Sequence, residues 1–342
     1  MKPRVKVSVL MLTYNHEKYI ADAIESVVKQ QADFPFELVI GEDRSTDNTA
    51  RICREYQKKY PEIIKLTTND ENLGLQENFI RTYNQCSGEY MAICEGDDFW
   101  INKHKLQIQA DFLDQHKEYS ACFHRALNYY QEDGSKSIGN GGYQKKVNTV
   151  FDIINSNPIT NVTVMFRLGL FGELPSWFSK VTSYDFAIHV LNAEHGDVYF
   201  MNKVMAVYRQ HKESIWSMAT SEKQILISVI NRQLLIDHYK EKNKSICNKL
   251  TETCTNGCIR LVQYYHSIGN TEKELEAENF ILKANPALTI EQVKEMEKTK
   301  EIPLKKRISQ RIFRSINSRR ACSSPSINRL IVSASSSFDS GF

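Results

Sequence analysis

The sequence lacks any apolar run near the roughly 20 residues that a bilayer crossing needs; its longest, such as residues 7–12, are of strand length. No membrane-spanning helix is expected. A small-residue cleavage site is also missing. MKPRVKVSVLMLTYNH passes from a short apolar run straight into a polar loop, so it reads as a first strand and the chain is expected to stay in the cytoplasm. Without an export signal, the tripeptides Asn161-Val-Thr163 and Asn243-Lys-Ser245 carry no meaning as glycosylation sites. The eight cysteines form no C-x-x-C pair. Cys247, Cys254 and Cys258 would share a helix face, yet positions two turns apart lie roughly 10 Å from one another, too far to ligate one zinc ion. Reduced, buried thiols are expected. Compositional extremes are absent as well: 41% hydrophobic and 25% charged residues describe an ordinary globular chain and exclude disordered, collagen-like and disulfide-scaffold classes. The net charge is only +3 and is unevenly placed, since residues 301–342 hold eight basic and two acidic residues and the rest is slightly acidic. With positive charge confined to a tail, no nucleic-acid partner is expected.

What is present is alternation. At 342 residues the chain has room for one large core and a smaller appendage. Over the first two hundred residues, apolar runs of strand length alternate with amphipathic stretches of helix length, the pattern of an α/β domain with a mostly parallel sheet. Residues 5–13 read as the first strand. Ile20, Ala23, Ile24, Val27 and Val28 then fall on one helical face. A second strand at 36–41 runs into the polar loop 42–47, where Ser45, Thr46 and Asp47 are all suitable N-caps for a helix reaching Tyr60, ended by Pro61. A third strand at 63–67 leads to a helix over 75–85 that Gly88 can close in a left-handed cap. The fourth strand, 90–94, is apolar throughout, as one covered on both faces should be. Leu106, Ala110 and Leu113 predict a further helix, 119–130 a strand, 134–142 a turn, 186–193 a helix and 198–209 an extended segment. From about 221 to 285 the pattern is helical only, with Leu226, Val229, Ile230 and Leu234 on one face, and reads as a helical appendage.

The fourth strand ends in Glu95-Gly96-Asp97-Asp98, three carboxylates in four residues. Asp and Gly often do no more than fill a solvated turn. Here the cluster directly follows a buried strand, where mutual repulsion is costly unless a cation neutralises it, and Phe99-Trp100 adds apolar surface beside it. The second strand also ends in acids, Glu42 and Asp43, and ligands of open α/β sheets collect outside the carboxyl ends of the strands. Hard oxygen ligands grouped in this way suit Mg²⁺ or Mn²⁺ bridging to substrate phosphates.

In their order and spacing, the segments SVLMLTYNHEKYI, ELVIGEDRSTDNT, NLGL and ICEGDDFW resemble the nucleotide-sugar-binding half of a family 2 glycosyltransferase with the GT-A fold. YDFAIHVLNAEHGDVYFMNKVMAVYRQHKESIWS resembles that family's acceptor-binding half, so the resemblance covers roughly 5–217. It implies a GT-A domain at 1–217, with a doubly wound, mostly parallel, Rossmann-like sheet, followed by a helical appendage at 218–300 and the tail 301–342. It also implies inverting transfer of a sugar from a nucleotide-diphosphate sugar, UDP-linked by preference, to a hydroxyl of a glycan or lipid-linked acceptor. Mn²⁺ or Mg²⁺ is the implied cofactor, and surface polysaccharide synthesis the implied setting. Thr13 and Asn15 match the loop that touches the nucleotide, and Asp43 the acid that bonds the base. Glu42 stands where the family usually has Asp, and Arg44 where it often has Gly. Glu95-Gly96-Asp97 occupies the D-x-D position: Asp97 is then the metal ligand, Glu95 faces the ribose, and Asp98 assists the metal or positions the donor sugar. Asp185 matches the catalytic base that precedes a helix; its competing task is that of an N-cap, which Ser183 could also fill. Asp197 is a less suitable substitute. Tyr208-Arg209-Gln210-His211 matches a segment often placed over the diphosphate, so Arg209 is expected at the donor and His211 at the metal or the leaving group, or else at the surface. The Q-x-x-R-W signature and membrane helices of the family's processive synthases are missing, so a single addition is expected.

Two other classes fit parts of the chain. A nucleotidyltransferase also uses a doubly wound sheet and carboxylate-held Mg²⁺, but its glycine-rich phosphate loop is replaced by Thr13-Tyr14-Asn15-His16. A non-catalytic nucleotide-sugar-binding scaffold would use 221–300 as its partner surface, against which the retained Asp43, Asp97 and Asp185 speak. In the tail, Leu304, Ile308, Ile312, Phe313 and Ile316 lie near one helical face among Lys305, Lys306, Arg307, Arg311 and Arg314. Such a helix at 304–320 suits peripheral attachment to the anionic inner face of the plasma membrane, or packing on the body, or solvation.

Overall fold

The computed structural model of the protein describes residues 4–139, 144–212 and 220–284. The basic helix expected at 304–320 lies outside them, as do residues 213–217 of the acceptor-half resemblance.

Apolar runs fold as strands and amphipathic stretches as helices in strict alternation: β1 (Val7–Thr13), α1 (Ile20–Val28), β2 (Phe36–Glu42), α2 (Thr49–Lys59), β3 (Ile64–Thr68), α3 (Leu75–Tyr83) and β4 (Tyr90–Ile93). Next come β5 (Phe99–Trp100), α4 (Lys105–Gln115), the long β6 (Tyr119–Tyr130), β7 (Lys136–Ile138), β8 (Val147–Asn148), α5 (Val150–Asn155), β9 (Met165–Arg167), α6 (Tyr184–Ala193) and β10 (Asp197–Gln210). Three helices follow, α7 (Ser221–Tyr239), α8 (Lys244–Ser267) and α9 (Thr271–Ala284).

Among the described residues the strands form one sheet in the order β3-β2-β1-β4-β9-β6-β10-β5, with β7 on β6 and β8 on β10. β3, β2, β1 and β4 run parallel, β6 and β10 pair in parallel, and β9 enters antiparallel between these groups. Every residue of β1 is buried, as a strand with helices on both faces requires. From β1 the chain steps outward to β3, then returns to the other side of β1 as β4. At that reversal the loops behind β1 and β4 diverge and leave a crevice at the carboxyl edge. This is the doubly wound, mostly parallel sheet of the GT-A kind.

Two apolar clusters cover the sheet. One joins β1, β2 and β4 to Ile20, Ala23, Ile24 and Val27 of α1 and to Leu106, Ala110 and Leu113 of α4. The other joins Leu10 and Phe79 to Ala187 and Leu191 of α6, and continues without interruption into Ile225, Val229 and Leu235 of α7 and Cys254 and Cys258 of α8. The helical stretch therefore shares its core with the sheet domain. The described cysteines are free, and most are buried.

Local expectations differ from the structure at four points, the first being the turn expected at 134–142, where Lys136–Ile138 instead pairs with β6 as β7. The N-cap of α2 is Asn48, without a side-chain bond; Asp47 instead accepts from the Thr49 N–H at 2.9 Å and ties the loop to the Glu17 N–H at 3.0 Å. Gly88 is not a left-handed cap, since α3 already ends at Asn84. A glycine is needed there because a Cβ would lie 2.6 Å from the Ser8 nitrogen and 2.8 Å from the Tyr90 carbonyl. On α7, Ile230 is exposed while Ile225, Ile227 and Asn231 are buried, because the helix is covered both by α8 and by the segment leading into α6.

Candidate active site

The site is assembled from the loops behind β1, β2 and β4 and from the start of α6. Behind β1, Asn15 adopts the left-handed conformation at φ 56°, which Asn tolerates better than most residues. Its N–H donates to Ser45 Oγ at 3.0 Å and its Oδ1 accepts from the Thr46 N–H at 2.8 Å, which laces the β1 loop to the β2 loop. His16 is fixed by its N–H to Thr49 Oγ1 at 2.8 Å, with its ring Nδ1 3.3 Å from Thr13 Oγ1.

Both acids behind β2 are buried and hold backbone. Glu42 Oε1 accepts from the Ser45 N–H at 2.7 Å. Asp43 accepts from the N–H groups of Leu73 and Gly74 at 2.9 and 2.8 Å and from Asn69 Nδ2 at 2.9 Å, and so fastens the Asn72-Leu73-Gly74-Leu75 turn. Arg44 sits at φ 61°, the left-handed geometry for which glycine is the natural occupant.

The acid loop behind β4 lies against the β1 loop. Gly96 allows this, because a Cβ there would stand 2.7 Å from Thr13 Oγ1 and 2.8 Å from His16 Nδ1. Asp98 is buried, accepts from the Arg209 N–H at 2.8 Å, and is pushed well above the usual carboxylate range by burial and by the charge of Asp97. Asp97 Oδ2 meets His211 Nε2 at 3.0 Å. Burial opposes ionisation of Asp97, but the His211 hydrogen bond and the nearby His16 together hold its carboxyl below the usual value. Glu95 Oε1 accepts from Asn161 Nδ2 at 3.0 Å and from the Tyr184 hydroxyl. Burial, reinforced by Asp97, pushes Glu95 up to about 8.

The opposite wall is the head of α6. Ser183 occupies the N-cap position without a side-chain cap; its hydroxyl donates to Asp185 Oδ1, which also accepts from the Phe186 N–H at 2.8 Å. Among the described residues no hydrogen bond engages Asp185 Oδ2. Tyr184, next to it, is stacked on Phe79 with ring centroids 4.1 Å apart.

These groups enclose a cavity of about 800 Å³, whose lining includes Thr13, Asn15, Asp43, Glu95, Asp97, Asp98 and Asp185. Glu42, Arg209 and His211 are not in that lining. Arg209, expected at the donor, lies behind the acid loop: it donates to the Asp97 carbonyl at 2.8 Å and to Asp22 at 3.1 Å, between the rings of Tyr19 and Phe99. Glu42 likewise stays behind its loop, and His211 lies just behind the lining residues Asp97, Tyr19 and His16, with its ring 4.7 Å from that of Tyr19. The lining also includes His16, Asn72, Asn161 and Tyr184, to which no role was given from the sequence. Asn72 lies in the NLGL segment and Tyr184 beside Asp185, so both had a neighbouring signal; Asn161, on a short helical turn (Asn161–Thr163), had none.

Among the described residues no three His, Cys, Asp or Glu side chains are grouped to hold a metal ion. Asp97 and His211 offer one carboxylate and one imidazole on adjoining atoms, which fits an ion that takes its remaining ligands from substrate phosphates and water.

Residues 8–170 match the family model described as glycosyl transferase family 2; the match ends before α6. An uncharacterized protein of Mycobacterium tuberculosis is 33% identical over 220 residues, 64% of this chain and 62% of that protein. The chain thus spans less than two thirds of that relative. Poly(ribitol-phosphate) beta-N-acetylglucosaminyltransferase TarS of Staphylococcus aureus is 39% identical over 116 residues, 33% of this chain and 19% of TarS. Among solved structures, S. aureus TarS 1–349 in complex with UDP-GlcNAc superposes with a TM-score of 0.51 at 20% identity, over 80% of this chain and 91% of that one. The mannosyltransferase PcManGT from Pyrobaculum calidifontis, in complex with GDP-Man and Mn²⁺, superposes with a TM-score of 0.51 at 14% identity, over 98% and 87% of the two chains. At these identities the superpositions establish the shared fold.

Proposed function

We propose that the protein is a metal-dependent, inverting glycosyltransferase that moves a sugar from a nucleotide-diphosphate sugar to a hydroxyl of a saccharide or lipid-linked acceptor. The observation that carries this reading is one cavity with two chemically distinct walls: Asp97, backed by His211, on the sheet side, and Asp185 with an unengaged Oδ2 on the α6 side. The similarity of residues 8–170 to family 2 glycosyltransferases supports it.

A sugar hydroxyl is a poor nucleophile near neutral pH, so a positioned carboxylate must take its proton as the new bond forms. Asp185 Oδ2 accepts that proton, the hydroxyl oxygen bonds to the anomeric carbon, and the bond from that carbon to the diphosphate oxygen breaks. The nucleoside diphosphate departs with the electron pair. Asp97 and His211 would hold a divalent ion, which when bound would supply positive charge for this leaving group. Base on one wall and leaving group on the other give in-line displacement with inversion at the anomeric carbon. Thr13, Asn15 and Asp43 would meet the nucleotide, Glu95 would face the ribose, and Asp98 would assist the metal or position the donor sugar. A UDP-sugar is the donor to test first, as the resemblance of the β1, β2 and β4 segments implies; TarS is solved with UDP-GlcNAc and PcManGT with GDP-Man.

A panel of UDP-, dTDP- and GDP-sugars, assayed for release of the nucleoside diphosphate with Mn²⁺ and with chelator, tests the reading. Release from one donor that disappears on chelation is expected. No release from any donor, together with no Mn²⁺-dependent binding of UDP, would reject it in favour of a non-catalytic scaffold.

A further inference from the structure

Asp185 stands at the head of α6, but the backbone leading into it is held by another helix. Asn231 of α7 is 1% exposed. Its Oδ1 accepts from the Thr182 N–H at 2.8 Å and from Thr182 Oγ1 at 2.9 Å, and its Nδ2 donates to the Ser183 carbonyl at 2.8 Å. The Thr182 hydroxyl also lies 3.3 Å from the Ile227 carbonyl, one turn earlier on α7, and Ile227 itself reaches the cavity wall. The next residue, Arg232, lays its guanidinium over Phe186 at 4.5 Å from the ring centroid and donates to the Ile154 carbonyl at 2.9 Å. Two successive residues of α7 thus grip the chain on both sides of Asp185.

A leucine would suit the apolar surroundings of position 231 better, since a buried amide is tolerated only when its partners are fixed. Here all three bonds go to the two residues that precede α6. Ser183 is then able to turn its hydroxyl toward Asp185 rather than cap the helix, and Oδ1 of this cavity-lining carboxylate is pinned while no hydrogen bond among the described residues engages Oδ2.

We infer that Asn231 is a positioning residue for Asp185: it locks the Thr182–Ser183 backbone and fixes the orientation of the carboxylate toward the cavity. The inference rests on the reading of Asp185 as the base. It makes α7 a working part of the site, although that helix lies outside the segment that matches the family model.

The test compares the full-length Asn231→Leu variant with wild type in three measurements: amide hydrogen exchange over residues 180–186, turnover with the donor found in the screen above, and binding of UDP in Mn²⁺. Exchange should accelerate about tenfold and kcat should fall roughly 10- to 100-fold, because a misplacement near 1 Å is enough for such a loss. The Kd for UDP should stay within about twofold, since ground-state donor binding does not involve the base. Thr182→Val, a milder cut that tests the same contact if leucine at 231 does not fold, should lose several-fold in kcat, with Thr182→Ser restoring it. A folded Asn231→Leu protein with wild-type exchange or wild-type kcat would overturn the assignment. So would a kcat loss matched by an equal loss of UDP affinity, or equal kcat values for the two Thr182 variants. Asp185→Asn separates this from the underlying reading: if that variant is active, the base assignment itself falls, whereas an inactive Asp185→Asn beside a normal Asn231→Leu removes only the positioning role.

Discussion

The two walls of the cavity are built from different kinds of buried polar group. Under the β1, β2 and β4 loops several are ionisable: Glu42, Asp43, Asp98, Lys105 and Arg209 are all buried. Around α6 the buried ones are neutral, namely His189, Asn192 and Asn231, with the half-buried Arg232 turned to Phe186. Burial pulls His189 down to about 4 against the opposing charge of Asp185, so its imidazole is uncharged at neutral pH. The difference follows from the task of each wall. Ionisable groups held in fixed places suit a cation and a diphosphate, which are charged in every state. A general base works only while its carboxylate keeps a useful affinity for a proton, and a cation paired with it would weaken that affinity. Hydrogen-bonded neutral groups can hold such a carboxylate in place without removing its basicity.

The largest expected effect comes from breaking the neutral wall alone. Asp185→Asn should lower kcat on the order of 10²–10⁴-fold and leave calorimetric binding of UDP with Mn²⁺ unchanged; parallel losses in both would mean that the walls are not functionally separate.

A smaller effect is expected beneath the charged wall. Lys105 Nζ is fully buried 4.1 Å from the Trp100 ring centroid, has no hydrogen-bond partner among the described residues, and is pulled down to about 7 by burial. Below that pH the folded and unfolded chains both hold the proton. Between about 7 and 10.4 only the unfolded chain does, so stability should rise with pH across this window, by at most about 1.4 kcal/mol per unit. Lys105→Met should remove this contribution and be more stable than wild type at pH 6. Denaturant melts of both proteins at pH 6 and 9 measure it, and identical pH dependence would show that no uncompensated charge is buried there.

The smallest effect sharpens the comparison at the rim of the charged wall. Arg44→Gly relieves a left-handed backbone that costs a non-glycine residue roughly 1 kcal/mol, partly offset by the greater freedom of glycine in the unfolded chain. A slight rise in melting temperature is expected. A fall would mean that the arginine side chain makes a contact worth more than the strain.

The charged wall was legible in the sequence and the neutral one largely was not. β1, β2, β4 and α1 announce themselves through short apolar runs and a regular helical face, and Thr13, Asp43, Glu95 and Asp97 sit directly behind the strands. Even there, residue type did not determine facing: Arg209 and Glu42 carry the charges a donor site calls for, yet packing turns both toward the loops they hold. Asp185 is singled out in the sequence through the resemblance of the segment around it to the family's acceptor-binding half. Asn231 was not, because it lies 49 positions from Thr182 and shows in the chain only as one polar residue within an apolar helical stretch.

By itself the sequence determined the alternation of strands with helices and the acids placed directly after the strands, because periodicity and the junction of strand with loop are properties of neighbouring residues; the strand order that opens the crevice came from the structure. Only the tertiary structure decided which of those acids face the cavity, and that α7 comes to hold the chain before Asp185. Which atoms meet across long separations is set by the packing of whole elements against one another, and no window of sequence contains both partners.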